Sequence, residues 1–432
     1  MKESEGGGMH TPSETVSGTD SDMVGGTGPD MVGGTDSETA GWSDPETAGW
    51  SDPETAGWAG PALASLLERV SVTADEVGPR FPLYADRDSG TWKSTSRGSW
   101  TGGFWAGLLW LRALSSGDPA HRAAASDCTQ RLRYWIRQDT ATRGLVLWYG
   151  TALAAGPGGD VAADRLRAEA ARACLAAYED EWGLVPWGDA FGGPRLLARA
   201  DGVPGLVPLL ARAPGGGDGE GSEGFGSNGS NGSNGDGRGS GRAAAYAHLT
   251  RHLDLCLSED PPRPAWQARP HGMWTACAEP APGWSRTAAW LLLGTADGLH
   301  RLGDDGRLRE AAGRLAALRL APGTRLVPPA QDGCPLGPVD TSAAAIEAVA
   351  ALKLASLARA AGDGPESDRL ATRGRLILRQ LTEAHQSTSG ALLDGCYDAG
   401  RGLATHHELI WGDFFLAWGL AVLTGLAEPF TM

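Results

Sequence analysis

A lone carboxylate heads an apolar segment that contains no other acid. In residues 200–212, A-D-G-V-P-G-L-V-P-L-L-A-R, that acid is Asp201. Asp and Gly are favourable where a loop turns into a helix, and Pro204 is tolerated in a first turn, where its missing N–H costs nothing. A helix is therefore expected over 201–213. The positive end of a helix favours the charged carboxylate there, whereas apolar surroundings favour the neutral acid. Where the apolar influence dominates, such a group gives a proton and takes one back, which is general acid–base work. Where the helix end dominates, it is a cap. A second chemical cue is aromatic: 17 Trp stand against 7 Phe and 6 Tyr, and indole suits stacking on sugar rings or cations.

The formal charge of the 432-residue chain is −15, but it is unevenly placed. Residues 1–60 hold 12 acids and one Lys, or −11, which leaves −4 for the remainder. This balance excludes a basic nucleic-acid surface, and an anionic substrate would need a local cation. The six Cys are far apart, with no C-x-x-C and no His at metal-ligand spacing from them, and read as reduced, mostly buried thiols. No metal or organic cofactor is expected. The first residues lack the apolar core of a signal peptide and no run approaches a membrane span, so a cytoplasmic protein with no membrane partner is expected.

Residues 1–58 contain D-M-V-G-G-T twice and E-T-A-G-W three times, the latter at a period of eight. Their Gly, Ser, Thr and Asp content predicts a disordered tail. A Gly/Ser/Asn-rich stretch at 214–242, with S-N-G three times, reads as a flexible insertion. The rest, 59–428, reads as one domain of twelve helices, over 60–77, 100–115, 118–137, 144–155, 160–179, 201–213, 243–257, 285–301, 305–318, 340–361, 365–385 and 408–425, while strand-like alternation is almost absent. Helices such as 105–114, 289–296 and 414–423 are apolar nearly all round, whereas 122–137 and 162–172 are amphipathic. The former must lie inside and the latter outside, the pattern of an all-α (α/α)6 barrel.

Four blocks then occur in order: W-T-G-G-F-W-A-G-L-L-W-L-R-A at 100–113, G-W-S-R-T-A-A-W-L-L-L-G at 283–294, D-T-S-A-A-A-I-E-A-V-A at 340–350 and L-I-W-G-D-F-F-L-A-W-G-L at 409–420. With these the chain resembles the unsaturated glucuronyl hydrolases, glycoside hydrolase family 88. Around Asp201 it is similar also to their sisters, the unsaturated rhamnogalacturonyl hydrolases of family 105. The resemblance implies an (α/α)6 six-hairpin barrel that cleaves Δ4,5-unsaturated uronic acids from lyase-generated oligosaccharides. One Asp protonates the enol ether, water adds at C5 and the hemiketal opens, unlike the two-carboxylate chemistry of ordinary glycosidases. Asp201 matches the proton donor. Trp100 matches a pocket-wall aromatic, and Trp284, Arg286 and Trp290 match a W-x-R-x-x-x-W pattern whose Arg lines the sugar site. His271 stands in the place of a His-Gln-Gly loop. Asp340 and Asp413 match D-S-S-A and W-G-D, where capping and bracing roles are expected.

The family's T-H-D-x-G-F segment, with its second acid, is replaced here by a run that begins Thr142-Arg143-Gly144. Arg143 thus offers a cation for an anionic sugar in place of the lost carboxylate, and the expected partner is an unsaturated uronate oligosaccharide bound by a monomer or homodimer. Two other readings stay open: a catalytically silent barrel that binds sugar, and an isomerase of the N-acylglucosamine epimerase type, for which His271, His406 and His407 are the nearest candidates.

Overall fold

Asp and Gly punctuation turns the described chain through twelve helices. The computed structural model describes residues 53–214 and 240–432. The helices are α1 (Pro53–Val77), α2 (Gly102–Ser116), α3 (Pro119–Arg131), α4 (Tyr149–Ala155), α5 (Val161–Ala176), α6 (Leu206–Arg212), α7 (Gly241–Cys256), α8 (Ser285–Leu302), α9 (Gly306–Arg319), α10 (Thr341–Ala360), α11 (Gly364–Ala384) and α12 (Ile410–Leu423). The even-numbered helices form a closed inner ring, each touching the next, with α4 reaching α6 through the π-helical turn Gly144–Trp148 that precedes it. The odd-numbered helices pack outside them. This is the expected all-α double-ring barrel.

Burial follows sequence pattern. Every residue of α12 is buried, and so are residues 285–298 of α8 and 341–355 of α10. Helix α10 is long and apolar enough to cross a membrane, but most of it is enclosed as an inner helix. Phe104, Tyr149, Trp290, Phe414 and Phe415 fill the barrel axis with ring centroids 5.1–6.4 Å apart. Such offset and edge contacts add to the large area these rings bury. All six cysteines are free, and four of them are buried.

Links of two to five residues join α2 to α3, α4 to α5, α8 to α9 and α10 to α11 at the base. At the other end, the mouth, long loops lead from outer to inner helices and carry strands that sequence patterning missed. Strands β1 (Phe81–Ala85), β2 (Trp92–Thr95), β3 (Leu197–Arg199), β4 (Ala265–Arg269), β5 (Met273–Ala276) and β6 (Glu408–Leu409) form two small antiparallel sheets, ordered β2-β1-β6 and β3-β4-β5. In the second sheet Ala198 pairs with Trp266 and Gln267 with Thr275.

Three boundaries differ from expectation. The last E-T-A-G-W copy lies within α1, where Glu54 meets Arg379 of α11 at 3.1 Å. The rest of the repetitive tail lies outside the described residues, as does 215–239 of the insertion, while Gly241 and Arg242 already belong to α7. The chain also stays packed beyond 428, with Met432 buried.

Candidate active site

The first turns of the inner helices meet at the mouth, and most candidate residues stand on them. Trp100 precedes α2, Thr142 and Arg143 lead into α4, Asp201 into α6, Trp284 and Arg286 open α8, Asp340 caps α10, and Trp411 and Asp413 lie in the first turn of α12. Five of these six helices start with no side-chain cap; only α10 has one, from Asp340 to the Ser342 N–H at 3.1 Å. Backbone carbonyls take some of these first-turn N–H groups, Ser285 donating to Ala330 at 3.1 Å and Val207 to Val203 at 3.3 Å, and the positive dipole ends face the mouth.

One wall is aromatic and cationic. The Arg286 guanidinium lies 4.6 Å from the Trp284 ring centroid and 5.5 Å from that of Trp411. Trp411 in turn lies 4.7 Å from Trp100, whose Nε1 donates to the Tyr397 hydroxyl at 3.2 Å. Trp100 and Trp284 are half-buried, as surfaces for stacking would be. Arg286 itself is taken up by the protein: it donates to Asp340 Oδ2 at 2.6 Å, to the Tyr397 carbonyl at 2.7 Å and to the Cys396 carbonyl. It clips α8 to α10 and is not the open cation the resemblance implies.

Asp201 lies in a turn packed against α8. This is a single 3-10 turn, Ala200–Gly202, and the helix begins only at Leu206. Asp201 therefore does not cap α6, whose N-cap is Gly205 with φ 71°. Instead its two oxygens accept from Arg199 Nε at 3.0 Å and Nη2 at 2.9 Å, a bidentate pair of the geometry a guanidinium fork favours. Arg199 stacks on Trp187, 4.3 Å from its centroid. Strand pairing sets the pair in place, because Arg199 ends β3 and the Ala200 N–H donates to the Pro264 carbonyl at 2.9 Å just before β4. The Asp201 side chain is 14% exposed, so it faces neither bulk water nor a sealed core.

Behind this turn stands a pair that sequence reading overlooked, His248 and His252 on successive turns of α7. The His248 Nδ1 accepts from the Val185 N–H at 3.1 Å, so its Nε2 must donate to the Gly202 carbonyl at 3.2 Å. His252 Nδ1 donates to the His248 carbonyl at 2.7 Å, leaving Nε2 a bare acceptor about 4.0 Å from where a Cβ at Gly202 would sit. Burial pushes the His252 pKa down to about 4, against a smaller upward pull from the Asp201 charge. The His-x-x-x-His spacing was the available signal.

The remaining candidates do not join these groups. Arg143 is buried and donates to the carbonyls of Thr140 at 3.1 Å, Ile136 at 3.3 Å and Ala173 at 3.2 Å, so it ties α4 to its outer neighbours. Trp290 is an axis-filling core ring. His271 is exposed at the tip between β4 and β5, in left-handed backbone at φ 65°. Asp139, another possible acid, pairs with Arg195 at 2.7 Å. Asp413 accepts from the Leu392 N–H at 2.9 Å, a bracing role, and burial beside Glu408 raises its pKa well above the usual carboxylate range. The second acid that the resemblance implies has no room at 144: a Cβ there would lie 2.3 Å from the Leu206 nitrogen and 2.6 Å from the Pro204 carbonyl oxygen. No cluster of metal-ligating side chains occurs among the described residues.

No protein-family profile and no curated protein matches the chain. Solved structures do. An unsaturated glucuronyl hydrolase from Bacillus sp. GL1, responsible for the degradation of glycosaminoglycan, superposes with a TM-score of 0.70 at 22% identity, covering 84% of this chain and 96% of that one. One from Streptococcus agalactiae gives 0.69 at 18% identity over 90% and 97%. A third, specific for heparin, gives 0.68 at 19% identity over 86% and 98%. The fold is thus that of the unsaturated glucuronyl hydrolases along nearly their whole length.

Proposed function

We propose that the chain is a glycoside hydrolase of Δ4,5-unsaturated uronates, with Asp201 as general acid and base and Arg199 as the group that receives the substrate carboxylate. The observation that carries this reading is the Arg199–Asp201 fork, partly open to solvent, on the same ring of inner-helix first turns as Trp100 and Trp284. Arg143 and Arg286 donate to protein acceptors away from that opening, so Arg199 is the cation a uronate can claim. The uncapped helix starts favour an anion in the same place.

A uronate carboxylate that takes over the guanidinium fork frees the Asp201 carboxyl, which in its acid form is the proton donor to the enol ether. That proton passes to C4, and the double-bond electron pair forms the C4–H bond. The charge at C5 is shared with the ring oxygen until water adds there and returns a proton to Asp201. The hemiketal opens and frees the uronate. Net, one water adds across C4=C5, and Asp201 ends as it began.

Loss of enol-ether ultraviolet absorbance from lyase-generated unsaturated disaccharides tests this. Asp201→Asn is expected to lower kcat at least ~100-fold with an unchanged thermal midpoint. Arg199→Met is expected to act mainly through KM. Turnover by Asp201→Asn at the wild-type rate would exclude the mechanism. The crowded backbone at Gly144 favours a second reading, a sugar-binding barrel without turnover. Calorimetric binding of the same disaccharides with no absorbance loss would establish it.

A further inference from the structure

The outer ring leaves a gap where α1 and α3 flank α2, and a cavity of about 430 Å³ runs along it. Its floor is the outward side of α2, with Trp105, Leu109 and Arg112 on successive turns. Arg112 lies about 15 Å along α2 from the mouth, at the helical rise per residue. It is only 8% exposed, and its Nε has no hydrogen-bond partner. Four other buried arginines, Arg143, Arg167, Arg286 and Arg373, all donate to a carboxylate, hydroxyl or carbonyl. Among the described residues, none pairs with Arg112. Asp75 and Asp118 influence it only through space, and burial lowers its pKa. With Asp75, Asp118 and Glu68 near it but none in contact, the Arg112 guanidinium is free to take an anionic ligand.

We propose that this cavity binds a small organic monocarboxylate with a flat or apolar body, its carboxylate on the Arg112 guanidinium and its body over Trp105 and Leu109. The guanidinium fork matches a carboxylate, and the volume is that of an ordinary small-ligand pocket. Arg131 and Asp127, which also line the cavity, pair with each other at 3.4 Å, and exposed Asp75 repels a second negative charge, which favours a monocarboxylate over a phosphate ester. The proposal is independent of the hydrolase reading, because the site is remote from the mouth and its test reads binding heat.

Titration calorimetry of the full chain with sodium 3-phenylpropionate, 3-phenylpropionamide and inorganic phosphate decides the matter. The carboxylate is expected to bind at least tenfold more tightly than the amide or phosphate. Arg112→Gln is expected to weaken it at least tenfold. Ala124→Trp, made at an exposed α3 position lining the cavity, keeps Arg112 and is expected to abolish binding by filling the space. Equal affinity for the amide, tighter binding of phosphate, no heat from phenylpropionate, or undiminished affinity in Ala124→Trp would each overturn the proposal. Should Arg112→Gln fail to fold, Ala124→Trp and the amide comparison still decide it.

Discussion

At the base of the barrel, α3, α5, α7, α9 and α11 each start under a side-chain cap, from Asp118, Asp160, Ser240, Asp305 and Asp363. At the mouth, five of the six inner helices start with none. Backbone strain divides the same way: Ser99, His271, Asp394 and Ala404, the non-glycine residues with positive φ among those described, all lie in mouth loops. The base therefore answers its own N–H groups with short Asp and Ser side chains, whereas the mouth relies on backbone carbonyls and carries half-exposed indoles and strained turns. Such strain persists only where the surroundings over-determine it, and it clusters at functional sites. One end is built for stability, and the proposed binding falls to the other.

Asp340 is the exception, a capped helix at the mouth, and the sharpest test of the contrast. It accepts from Ser342, Ser285 and Arg286 and is fully buried. Asp340→Ala removes a cap and also strands the Arg286 cation. Breaking a buried ion pair costs about 3–5 kcal/mol, so urea denaturation is expected to show a loss of that size. A loss near 1 kcal/mol would mean that Asp340 is only a cap.

Gly144→Asp, which would reinstate the second acid, comes next. Leu206 and Pro204 backbone atoms occupy the space, and overpacking of this kind costs about 1–3 kcal/mol before a buried charge is added. The variant is expected to be destabilised by about 3 kcal/mol and to gain no turnover. Wild-type stability would show that the α4 and α6 lead-ins are not locked together.

The His252 pKa, about 4 in the fold against 6.5 for the free side chain, makes the mouth acid-sensitive. Because the folded value is depressed, the unfolded chain takes up a proton first as pH falls below 6.5, and stability drains away until pH 4. At 1.36 kcal/mol per unit the loss is about 3 kcal/mol. His252→Gln, with the amide still able to donate to the His248 carbonyl, is expected to flatten the urea midpoint between pH 7 and 4 by that amount. An unaltered pH slope would place the acid sensitivity elsewhere.

All twelve helices were legible because 3.6-residue patterning and Asp/Gly breaks mark them, and the two-layer order followed from which helices were apolar all round. The mouth was less so. Its strands are two to five residues long, too short for alternation to register, and the π turn at Gly144 leaves no compositional trace. Arg199 was readable in principle as the cation nearest to Asp201 in sequence, although the fork itself needs the 3-10 turn that follows β3. Arg143 was not, because its acceptors Ile136 and Ala173 come from neighbours only folding supplies. Trp284 and Trp290, six residues apart on a helix, point about 120° apart at 100° per residue. That spacing alone argued against both facing the sugar, and Trp290 is indeed a core ring.

The smallest expected effect completes the comparison with a residue of the same type, in the same local role, on the helix after α10. Asp363 caps α11 by accepting from the Glu366 N–H at 3.1 Å, and it stands in solvent. Its removal exposes an N–H that water can satisfy, so Asp363→Ala is expected to cost only about 1 kcal/mol, the ordinary worth of a cap. Asp363→Asn, which keeps the accepting oxygen, is expected to restore most of it. Both variants should hydrolyse or bind unsaturated disaccharides as the wild type does, because nothing at the base reaches the Arg199–Asp201 fork. If Asp363→Ala instead cost as much as Asp340→Ala, or altered kcat or KM, the division of the barrel into a stabilising end and a binding end would be wrong.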